Sequence, residues 1–371
     1  MTKDMKRIKI FFIKKRVIAS IVVVAILGSV IIWSIKASTF SISLEIEQGN
    51  RTSEVSIGSE KNASGGSFVL FGTKQNSDDI SSSKPCGATA PPAKWNHVVV
   101  LIFENKKYSE VITSKNSPYI ADLAKKCGTY ANWKDADYKV NGQKDGSYSS
   151  KPNYATLTSG LSPSAHNIKD DDYVDTTSVD NIFNKLNSLG KMAKSYISTK
   201  NKIPNCANSG DQKGSYHDPM RFYSNLGGQS ASTSTYCNTH DVPANTFLTD
   251  LNNGNLPALS IVIPTNDENT HDNSIPSGDA WAHNFLNPLF DSNAYKKGDI
   301  AFFFLWDEDT PIPSVFVAPS IIPGSSPVLK SGSNPFSHFS ALKTWQEMLD
   351  AKPFLGESGQ APSLLDYYNG R

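Results

Sequence analysis

The feature that most constrains the fold is a short, uninterrupted apolar run that recurs along the chain. Residues 97–103 read HVVVLIF, and residues 300–306 read IAFFFLW. Runs of this length, rich in β-branched and aromatic residues, are typical of strands that are buried on both faces. Similar runs occupy residues 258–263 and 315–318. The sequence therefore predicts a core strand at each of these four places.

Segments with helical periodicity lie between the apolar runs. They occupy residues 117–127, 178–189, 244–251, 280–290 and 340–349. Strands that alternate with helices indicate an α/β domain with a largely parallel sheet and helices on both sides, a three-layer α/β/α sandwich. We predict that this domain spans residues 96–371.

Oxygen-bearing side chains follow three of the apolar runs. Glu104-Asn105 comes after the first, Thr265-Asn266-Asp267 after the next, and Asp307-Glu308-Asp309 after the third. Ligands of parallel sheets bind beyond the carboxyl ends of the strands. Converging carboxylates repel one another, and a bound cation removes that repulsion. The pattern therefore favours a cation site over the ordinary polarity of loops.

The N-terminal region has the features of a membrane anchor. Seven basic residues against Asp4 give residues 1–16 a charge of +6, so the rest of the chain carries −5 within the overall +1. That balance argues against a nucleic-acid-binding surface. Residues 17–35 carry no charge and are long enough to span a bilayer. A cleaved signal peptide is the alternative, but its apolar region is usually shorter.

A retained anchor would leave the basic flank in the cytoplasm and the rest of the chain outside the membrane. Residues 36–95 are predicted to form a flexible spacer, because Ser, Gly, Lys and Asn dominate from Asn50 to Lys84. We therefore expect a single-pass membrane protein whose catalytic domain faces outward. Cleavage of the anchor would instead release that domain.

The chain has four cysteines, at positions 86, 127, 206 and 237. None is arranged as CxxC, so a zinc knuckle is disfavoured. An oxidising compartment favours two disulfides. Three pairings are compatible with the sequence, and pairing of nearest neighbours gives Cys86–Cys127 and Cys206–Cys237.

Residues 149–168 contain a candidate nucleophile. The stretch reads SSKPNYATLTSGLSPSAHNI, with helical character from Tyr154 to Gly160 and Pro152 suited to a first helical turn. Ser150 then lies at or near the helix N-cap. Its ordinary role there would be capping, but a helix N-terminus also favours an attacking alkoxide and a phosphate group.

An ordered set of motifs over residues 96–350 resembles the bacterial phosphoesterase family that unites acid phosphatases with phospholipases C, within the alkaline phosphatase superfamily. The motifs are Phe103-Glu104-Asn105, Pro152-Asn153-Tyr154, Leu157-Thr158-Ser159-Gly160, His271-Asp272, Gly278-Asp279-Ala280-Trp281, Trp306-Asp307-Glu308 and Ser337-His338. The sequence around Cys206, His217 and Cys237 resembles the secreted acid phosphatases. The chain departs from the family at Tyr148, where relatives often carry His.

The resemblance implies a role for each matched residue. One divalent metal ion would be bound by Glu104, Asn105, Ser150, Asp307 and Glu308. Ser150 would also be the nucleophile. The phosphate and the leaving group would be surrounded by His217, His271, Asp272 and His338. Asp267 and His271 could form part of a second metal site. We interpret the acidic run 170–172 as a solvated loop.

The function that the resemblance implies is hydrolysis of phosphomonoesters through a phosphoseryl intermediate, by a metal-dependent acid phosphatase. A histidine that protonates the leaving oxygen works best at mildly acidic pH. A phospholipase C or another phosphodiesterase of the same family is the alternative. A third hypothesis, a binding protein on a decayed phosphatase fold, is disfavoured because the implied metal ligands and the serine are all present.

Overall fold

The computed structural model describes residues 55–59, 67–71, 84–171, 176–198, 206, 217–229 and 235–371. The chain divides into two compact units, Met1–Ser82 and Ser83–Arg371. The predicted anchor at 17–35 lies outside the described residues. Within the described ranges no helix is both long and apolar enough to cross a membrane.

The first unit contains a two-stranded antiparallel sheet. Strand β1 (Val55–Ser59) pairs with β2 (Ser67–Phe71), so that Val55 lies opposite Phe71 and Ser59 opposite Ser67. Both strands fall in the stretch predicted as a flexible spacer. The spacer therefore contains paired strands in addition to its polar linker sequence.

The second unit is built on a seven-stranded sheet. Its strands are β3 (His97–Phe103), β4 (Gly128–Thr129), β5 (Ala193–Ile197), β6 (Asp241–Pro243), β7 (Leu259–Ile263), β8 (Ile300–Trp306) and β9 (Ser314–Val317). Their spatial order is β4-β9-β8-β3-β7-β5-β6. Strand β9 runs antiparallel to both of its neighbours, and the other strands share one direction. The sheet is mixed and largely parallel.

The central strands are buried along almost their whole length. Every residue of β7 and β8 is buried, as is β3 from Val98 onward. A strand without an exposed face must be covered on both sides, which is why these segments read as continuous apolar runs. Each large apolar side chain buried in this way stabilises the fold by about 1.5–3 kcal/mol.

Helices surround the sheet. The α-helices are α1 (Tyr108–Val111), α2 (Pro118–Lys126), α3 (Ser150–Ser159), α4 (Pro163–His166), α5 (Ile182–Ser188), α6 (Tyr236–His240), α7 (Phe247–Asn252), α8 (Ile275–Asp291), α9 (Asn293–Lys296), α10 (His338–Met348) and α11 (Leu365–Tyr368). Short 3₁₀ helices occupy Pro219–Phe222, Ser224–Leu226, Ala244–Thr246 and Ser358–Gln360. Helix α3 packs on α10, and α2 packs on α8. Cover on both faces of the sheet is what a three-layer arrangement requires.

The residues just before β3 pack against the sheet domain, although the sequence placed them in the spacer. Trp95 is buried and its indole N–H donates to Asn369 Oδ1 at 3.2 Å. The Tyr295 hydroxyl donates to Pro85 O at 2.6 Å. Cys86 forms a disulfide with Cys127. The compact domain therefore begins about ten residues before the predicted boundary at 96.

Candidate active site

The site lies where β3 and β8 end. These strands are parallel neighbours with Phe103 opposite Trp306, so Glu104 and Asp307 emerge side by side at one edge of the sheet. The Asp307 N–H donates to Phe103 O at 3.1 Å, which continues the ladder past the last strand residue. The Phe103 and Trp306 rings pack edge to face, 5.3 Å apart, beneath the site.

Glu104 and Asp307 form a buried carboxyl pair. Their relative exposures are 0% and 2%, and the two groups lie close enough to interact electrostatically. Burial raises the pKa of both carboxyls, and the charge of Asp307 raises that of Glu104 further. Two like charges in such surroundings cannot both persist without a compensating proton or cation.

Asn105 completes this strand end. Its backbone N–H donates to Asp307 Oδ1 at 3.0 Å, and its φ of 49° lies in the left-handed region, which asparagine tolerates better than most residues. Asn105 Oδ1 and Asp307 Oδ2 are both buried without a conventional hydrogen-bond partner among the described residues. Two unsatisfied acceptors beside a carboxyl pair are an arrangement that a cation would satisfy.

Ser150 is the first residue of helix α3, and Ser149 is its N-cap. The Ser150 hydroxyl is 3% exposed and donates to Glu104 Oε2 at 2.9 Å. One turn later the buried Tyr154 hydroxyl donates to the other oxygen, Glu104 Oε1. Residues four apart share a helix face, so the helix delivers both hydroxyls to one carboxyl. Ser149 rather than Ser150 is thus the N-cap, and the Ser150 hydroxyl contacts the Glu104 carboxyl.

Hydrogen bonds near its N-terminus hold α3 in this position. Asn153 Oδ1 accepts the Ala136 N–H at 2.7 Å, and Asn153 Nδ2 donates to Ser149 O at 2.9 Å. Asp171 Oδ1 accepts the Lys151 N–H at 2.9 Å, in the first turn of the helix. A carboxylate is favourable at a helix N-terminus. Residue 171 of the predicted solvated run is thus a structural contact of the nucleophile helix.

The oxygen donors fit a hard divalent cation. Two carboxyls, one amide oxygen and one hydroxyl, from Glu104, Asp307, Asn105 and Ser150, lie at or next to the two strand ends, and oxygen donors of these kinds suit Mg²⁺, Mn²⁺ or Ca²⁺. Among the described residues no three His, Cys, Asp or Glu side chains converge on a common point. A site here therefore depends on the amide and the hydroxyl as well as on the carboxyls.

Glu308 lies at the rim of this donor set. Burial and the neighbouring charges, first Asp307 and then Asp171, raise the pKa of Glu308 to about 9. No hydrogen bond joins its carboxyl to Glu104, Asn105 or Ser150. Glu308 therefore interacts electrostatically with Asp307, but it lies outside the hydrogen bonds that orient the other predicted ligands.

His217 and His271 lie next to each other, and His217 approaches the same Glu104 oxygen that Ser150 contacts. His217 Nε2 is 3.4 Å from Glu104 Oε2, and the two imidazole rings are 6.3 Å apart. Burial and the nearby His271 lower the pKa of His217 to about 3. His217 is thus neutral at physiological pH.

His271 is about one-third exposed, and its Nδ1 lies 2.6 Å from Asp272 Oδ1. When Asp272 accepts a hydrogen bond from Nδ1–H, it fixes the orientation of the ring and leaves Nε2 facing away from the carboxylate. The predicted pair is therefore assembled at the mouth of the site, next to His217.

His338 is fully buried as the first residue of α10. Its Nε2 lies 2.7 Å from Asp307 O. A carbonyl only accepts, so Nε2 carries the proton and Nδ1 is an acceptor, which has no partner among the described residues. His338 thus contacts the backbone of the Asp307 strand end.

Tyr154 and Asp135 make contacts at or near the site, and neither was predicted to do so. Tyr154 could have been found from its position four residues after Ser150 on the same helix face. Asp135 could not: its N–H donates to Thr310 Oγ1 at 2.9 Å and its Oδ2 accepts the Thr310 N–H at 2.8 Å. This reciprocal pair joins loops that are 175 residues apart in sequence.

Three comparisons place the chain among known proteins. A phosphatidylinositol-3-phosphatase of Mycobacterium tuberculosis is 26% identical over 286 residues, covering 76% of this chain and 85% of the relative. Human ectonucleotide pyrophosphatase/phosphodiesterase 5 superimposes with a TM-score of 0.48 and 8% identity, over 73% of this chain and 99% of that one. A Vibrio parahaemolyticus protein of the alkaline phosphatase superfamily superimposes with a TM-score of 0.46 and 13% identity, over 76% and 74% of the two chains.

The profile of the Phosphoesterase family matches residues 145–344. The matched segment begins just before Ser150 and includes His217, His271, Asp307 and His338. Because the match covers more than half of the chain, the protein belongs to the Phosphoesterase family and is a hydrolase of phosphate ester bonds.

Proposed function

We propose that this protein is a metal-dependent phosphomonoesterase in which Ser150 is the nucleophile. The observation that carries the proposal is the contact of 2.9 Å between Ser150 Oγ and Glu104 Oε2 at the start of helix α3. Ser150 Oγ would attack phosphorus, the ester oxygen would leave, and water would then hydrolyse the phosphoserine. Overall, one phosphomonoester and one water give an alcohol and phosphate.

Glu104 orients the nucleophile through a hydrogen bond to the Ser150 hydroxyl. Glu104 Oε2 accepts a hydrogen bond from the Ser150 hydroxyl, so the lone pairs of Ser150 Oγ point away from Glu104. Tyr154 donates to the other carboxyl oxygen and limits rotation of the carboxyl group. Orientation of this kind contributes to rate because the reacting atoms start in the right geometry.

A divalent cation would be held by Glu104, Asn105, Ser150 and Asp307, with Glu308 at the rim. When bound, such an ion neutralises the carboxyls and stabilises the negative charge that develops in the transition state. This set of oxygen donors suits a single ion.

His271 is the residue that we assign to the leaving group. Its Nδ1 is oriented by Asp272 and its Nε2 is free to give a proton to the departing alkoxide. Imidazole donors of this kind favour mildly acidic pH, which supports an acid phosphatase. His217, neutral and in contact with Glu104, would orient groups in the site without supplying charge, and His338 would hold the Asp307 strand end.

The M. tuberculosis relative supports a monoester as the substrate, because the name of that protein, phosphatidylinositol-3-phosphatase, describes removal of a phosphate group from a lipid headgroup. We propose that a phosphorylated headgroup or a soluble phosphomonoester is hydrolysed here. Activity on phosphatidylcholine, with release of diacylglycerol, would instead identify a phospholipase C.

The proposed location is outside the cytoplasmic membrane, tethered by residues 17–35. The basic N-terminal flank and the two cysteine pairs support it. Proteolysis of the catalytic domain in intact cells that express the full chain checks this. Protection of the domain from added protease would contradict the location.

The mechanism is tested with full-length protein and p-nitrophenyl phosphate between pH 5 and pH 8, with chelator and after addition of Mg²⁺, Mn²⁺ or Ca²⁺. Ser150→Ala should lose about 10³-fold or more of kcat. Ser149→Ala is the matched control, since that neighbouring N-cap hydroxyl makes no side-chain capping bond. Equal activity of wild type and Ser150→Ala would exclude the serine mechanism.

A further inference from the structure

The backbone of Glu104 is hydrogen-bonded by Asn269 and Thr270, two residues that have no part in the proposed mechanism. Glu104 N–H donates to Asn269 O at 2.9 Å, and the Thr270 hydroxyl donates to Glu104 O at 2.9 Å. Both polar groups of the Glu104 backbone are therefore satisfied by two consecutive residues. All three residues are fully buried.

The same hydroxyl also reaches the other strand end. Trp306 Nε1 donates to Thr270 Oγ1 at 3.3 Å. Trp306 immediately precedes Asp307, so one hydroxyl joins the backbone of Glu104 to the residue before Asp307. A buried polar group that links two elements constrains their relative position, because breaking either bond leaves an unsatisfied donor or acceptor.

Thr270 makes these bonds from a strained conformation. Its φ of 74° lies in the left-handed region, which β-branched residues avoid because the backbone there crowds Cβ. Strain of this kind persists only where the surroundings impose it, and it concentrates at functional sites.

Gly278 provides the space that Thr270 needs. A Cβ at position 278 would lie 2.4 Å from Thr270 Cγ2, closer than two carbon atoms can approach. The same Cβ would lie 3.2 Å from Glu268 O and 3.3 Å from Phe103 Cε2, tight contacts that small shifts relieve, so the contact with Thr270 is the most severe of the three. The glycine therefore fits the methyl group of this particular threonine.

We propose that Thr270 is a positioning residue that sets the place of the Glu104 carboxyl relative to Asp307 and Ser150. This inference rests on the proposed function in taking those groups to be the metal-binding and nucleophilic centre. Thr270 acts through Glu104 and Trp306, and it does not touch the reacting atoms. A purely structural threonine would affect stability alone.

The test compares Thr270→Val, Thr270→Ser and a matched control, Thr344→Val, in the full chain. Valine keeps the β-branched shape and removes the hydroxyl, whereas serine keeps the hydroxyl and removes the methyl. Thr344 is also a fully buried threonine whose hydroxyl bonds backbone groups, at Ser340 O and Leu364 N, in the middle of α10.

Thr270→Val should weaken Mn²⁺ binding, measured by calorimetry, by about 10–100-fold, the usual effect of removing a group that orients a ligand. The value of kcat should fall by a similar factor, while KM for p-nitrophenyl phosphate changes less than about threefold. Thr270→Ser should restore both quantities to within about threefold of wild type. Thr344→Val should lower the unfolding temperature and leave Mn²⁺ affinity unchanged.

Gly278→Ala tests the same contact from the other side. The added methyl group should displace Thr270 and reproduce the loss of Mn²⁺ affinity. In the double variant Gly278→Ala/Thr270→Ser the colliding Cγ2 is gone and only the milder contacts with Glu268 O and Phe103 Cε2 remain, so part of the affinity should return. Additive losses in the double variant would contradict the proposed coupling.

Crystal structures of metal-free wild type and Thr270→Val separate this inference from the proposed function. The valine variant should lose the contact between Ser150 Oγ and Glu104 Oε2. An unmoved Glu104 carboxyl, or unchanged Mn²⁺ affinity in Thr270→Val, would overturn the role of Thr270. If wild type binds no divalent ion and hydrolyses no phosphomonoester, the proposed function fails, and the crystal structures still decide whether Thr270 positions Glu104.

Discussion

At the scale of single residues, the site is defined by two carboxyl groups that the fold brings together against their repulsion. Glu104 receives hydrogen bonds from Ser150 and Tyr154, which favour its charged form. Burial and the neighbouring Asp307 oppose that charge and have the larger effect on its pKa. Without a cation, the pair of carboxyls therefore lowers the free energy of unfolding.

This balance makes a prediction for Asp307→Asn. The amide oxygen can still accept the Asn105 N–H, while the like-charge contact is removed. The metal-free variant should be more stable than wild type by about 1–2 kcal/mol, measured by chemical unfolding in the presence of chelator. Wild type should gain stability when Mn²⁺ is added, because an ion that binds only the folded state raises the free energy of unfolding; the variant should not.

Asp309→Asn is the matched control for this prediction. Asp309 is an exposed neighbour in the left-handed region, which asparagine tolerates. It should match wild type both with and without the ion. A metal-free Asp307→Asn that is less stable than wild type, or one that Mn²⁺ still stabilises, would show that the carboxyl pair is not the cation site.

The sequence predicted the residues of the site whose position depends on strand ends. Glu104, Asn105 and Asp307 follow apolar runs, and neighbouring parallel strands end at the same edge. Thr270 and Asp171 escaped prediction because their contacts depend on how distant loops fold back onto the strand ends. Asp171 in particular reads as part of a solvated acidic run, and only the position of helix α3 shows that it meets the Lys151 N–H.

At the scale of elements, agreement is best where burial alone decides the structure. Strands β3 and β8 have the predicted bounds, β7 begins one residue later than predicted, and β9 begins and ends one residue earlier than predicted. Strands β4, β5 and β6 were not predicted. β4 and β6 are only two and three residues long, and β5 reads AKSYI, with a half-exposed lysine that breaks the apolar run.

Helix positions were predicted better than helix ends. Helix α8 begins at Ile275, five residues before the predicted start, because the Ser274 side chain accepts the Ser277 N–H and caps it. The motif at 278–281 lies inside this helix. Asp279 accepts the N–H groups of Tyr119 and Ile120 at 3.1 and 2.8 Å and so caps α2, a structural role that the motif alone does not indicate.

A second carboxyl pair joins two elements beside His217. Asp218 caps the 3₁₀ helix Pro219–Phe222, Asp241 begins β6, and both are buried, with exposures of 1% and 3%. The carboxyls lie close enough to interact electrostatically, and Arg221 lies near enough to lower both pKa values. Burial outweighs that effect, so the pKa of each carboxyl is raised, most strongly for Asp241.

The pair predicts a pH dependence of stability. Above the ordinary aspartate pKa of about 4, the folded state keeps protons that the unfolded state has released. The free energy of unfolding therefore falls as pH rises from about 4, by up to about 1.4 kcal/mol per pH unit for each proton retained. Asp241→Asn should flatten this slope, measured by chemical unfolding from pH 4 to pH 8 in chelator.

Asp366→Asn is the control for the second pair, since Asp366 is exposed. It should leave the slope unchanged. The carboxyl pair at Glu104 contributes its own slope to every variant, so the difference between variant and wild type isolates Asp241. An Asp241→Asn slope equal to that of wild type would show that Asp218 and Asp241 do not share a proton.

At the scale of the whole molecule, two disulfides tie distant parts of the sheet domain together. Cys86–Cys127 and Cys206–Cys237 have Cα–Cα distances of 5.4 and 5.6 Å, which confirms the nearest-neighbour pairing. The first joins the start of the domain to the end of α2. The second lies by the segment that carries His217, since Arg221 Nη1 donates to Cys206 O at 2.8 Å.

The two disulfides should therefore contribute equally to stability and unequally to activity. Their half-cystines are 41 and 31 residues apart, and chain entropy gives each about 4 kcal/mol of stabilisation. Cys86→Ser/Cys127→Ser and Cys206→Ser/Cys237→Ser should lose similar unfolding free energy. Only the second should also lose kcat on p-nitrophenyl phosphate, assayed where both variants are fully folded, because it frees the backbone that places His217 against Glu104. Each double variant is the control for the other, and equal kcat in the two would show that the second disulfide has no part in ordering the site.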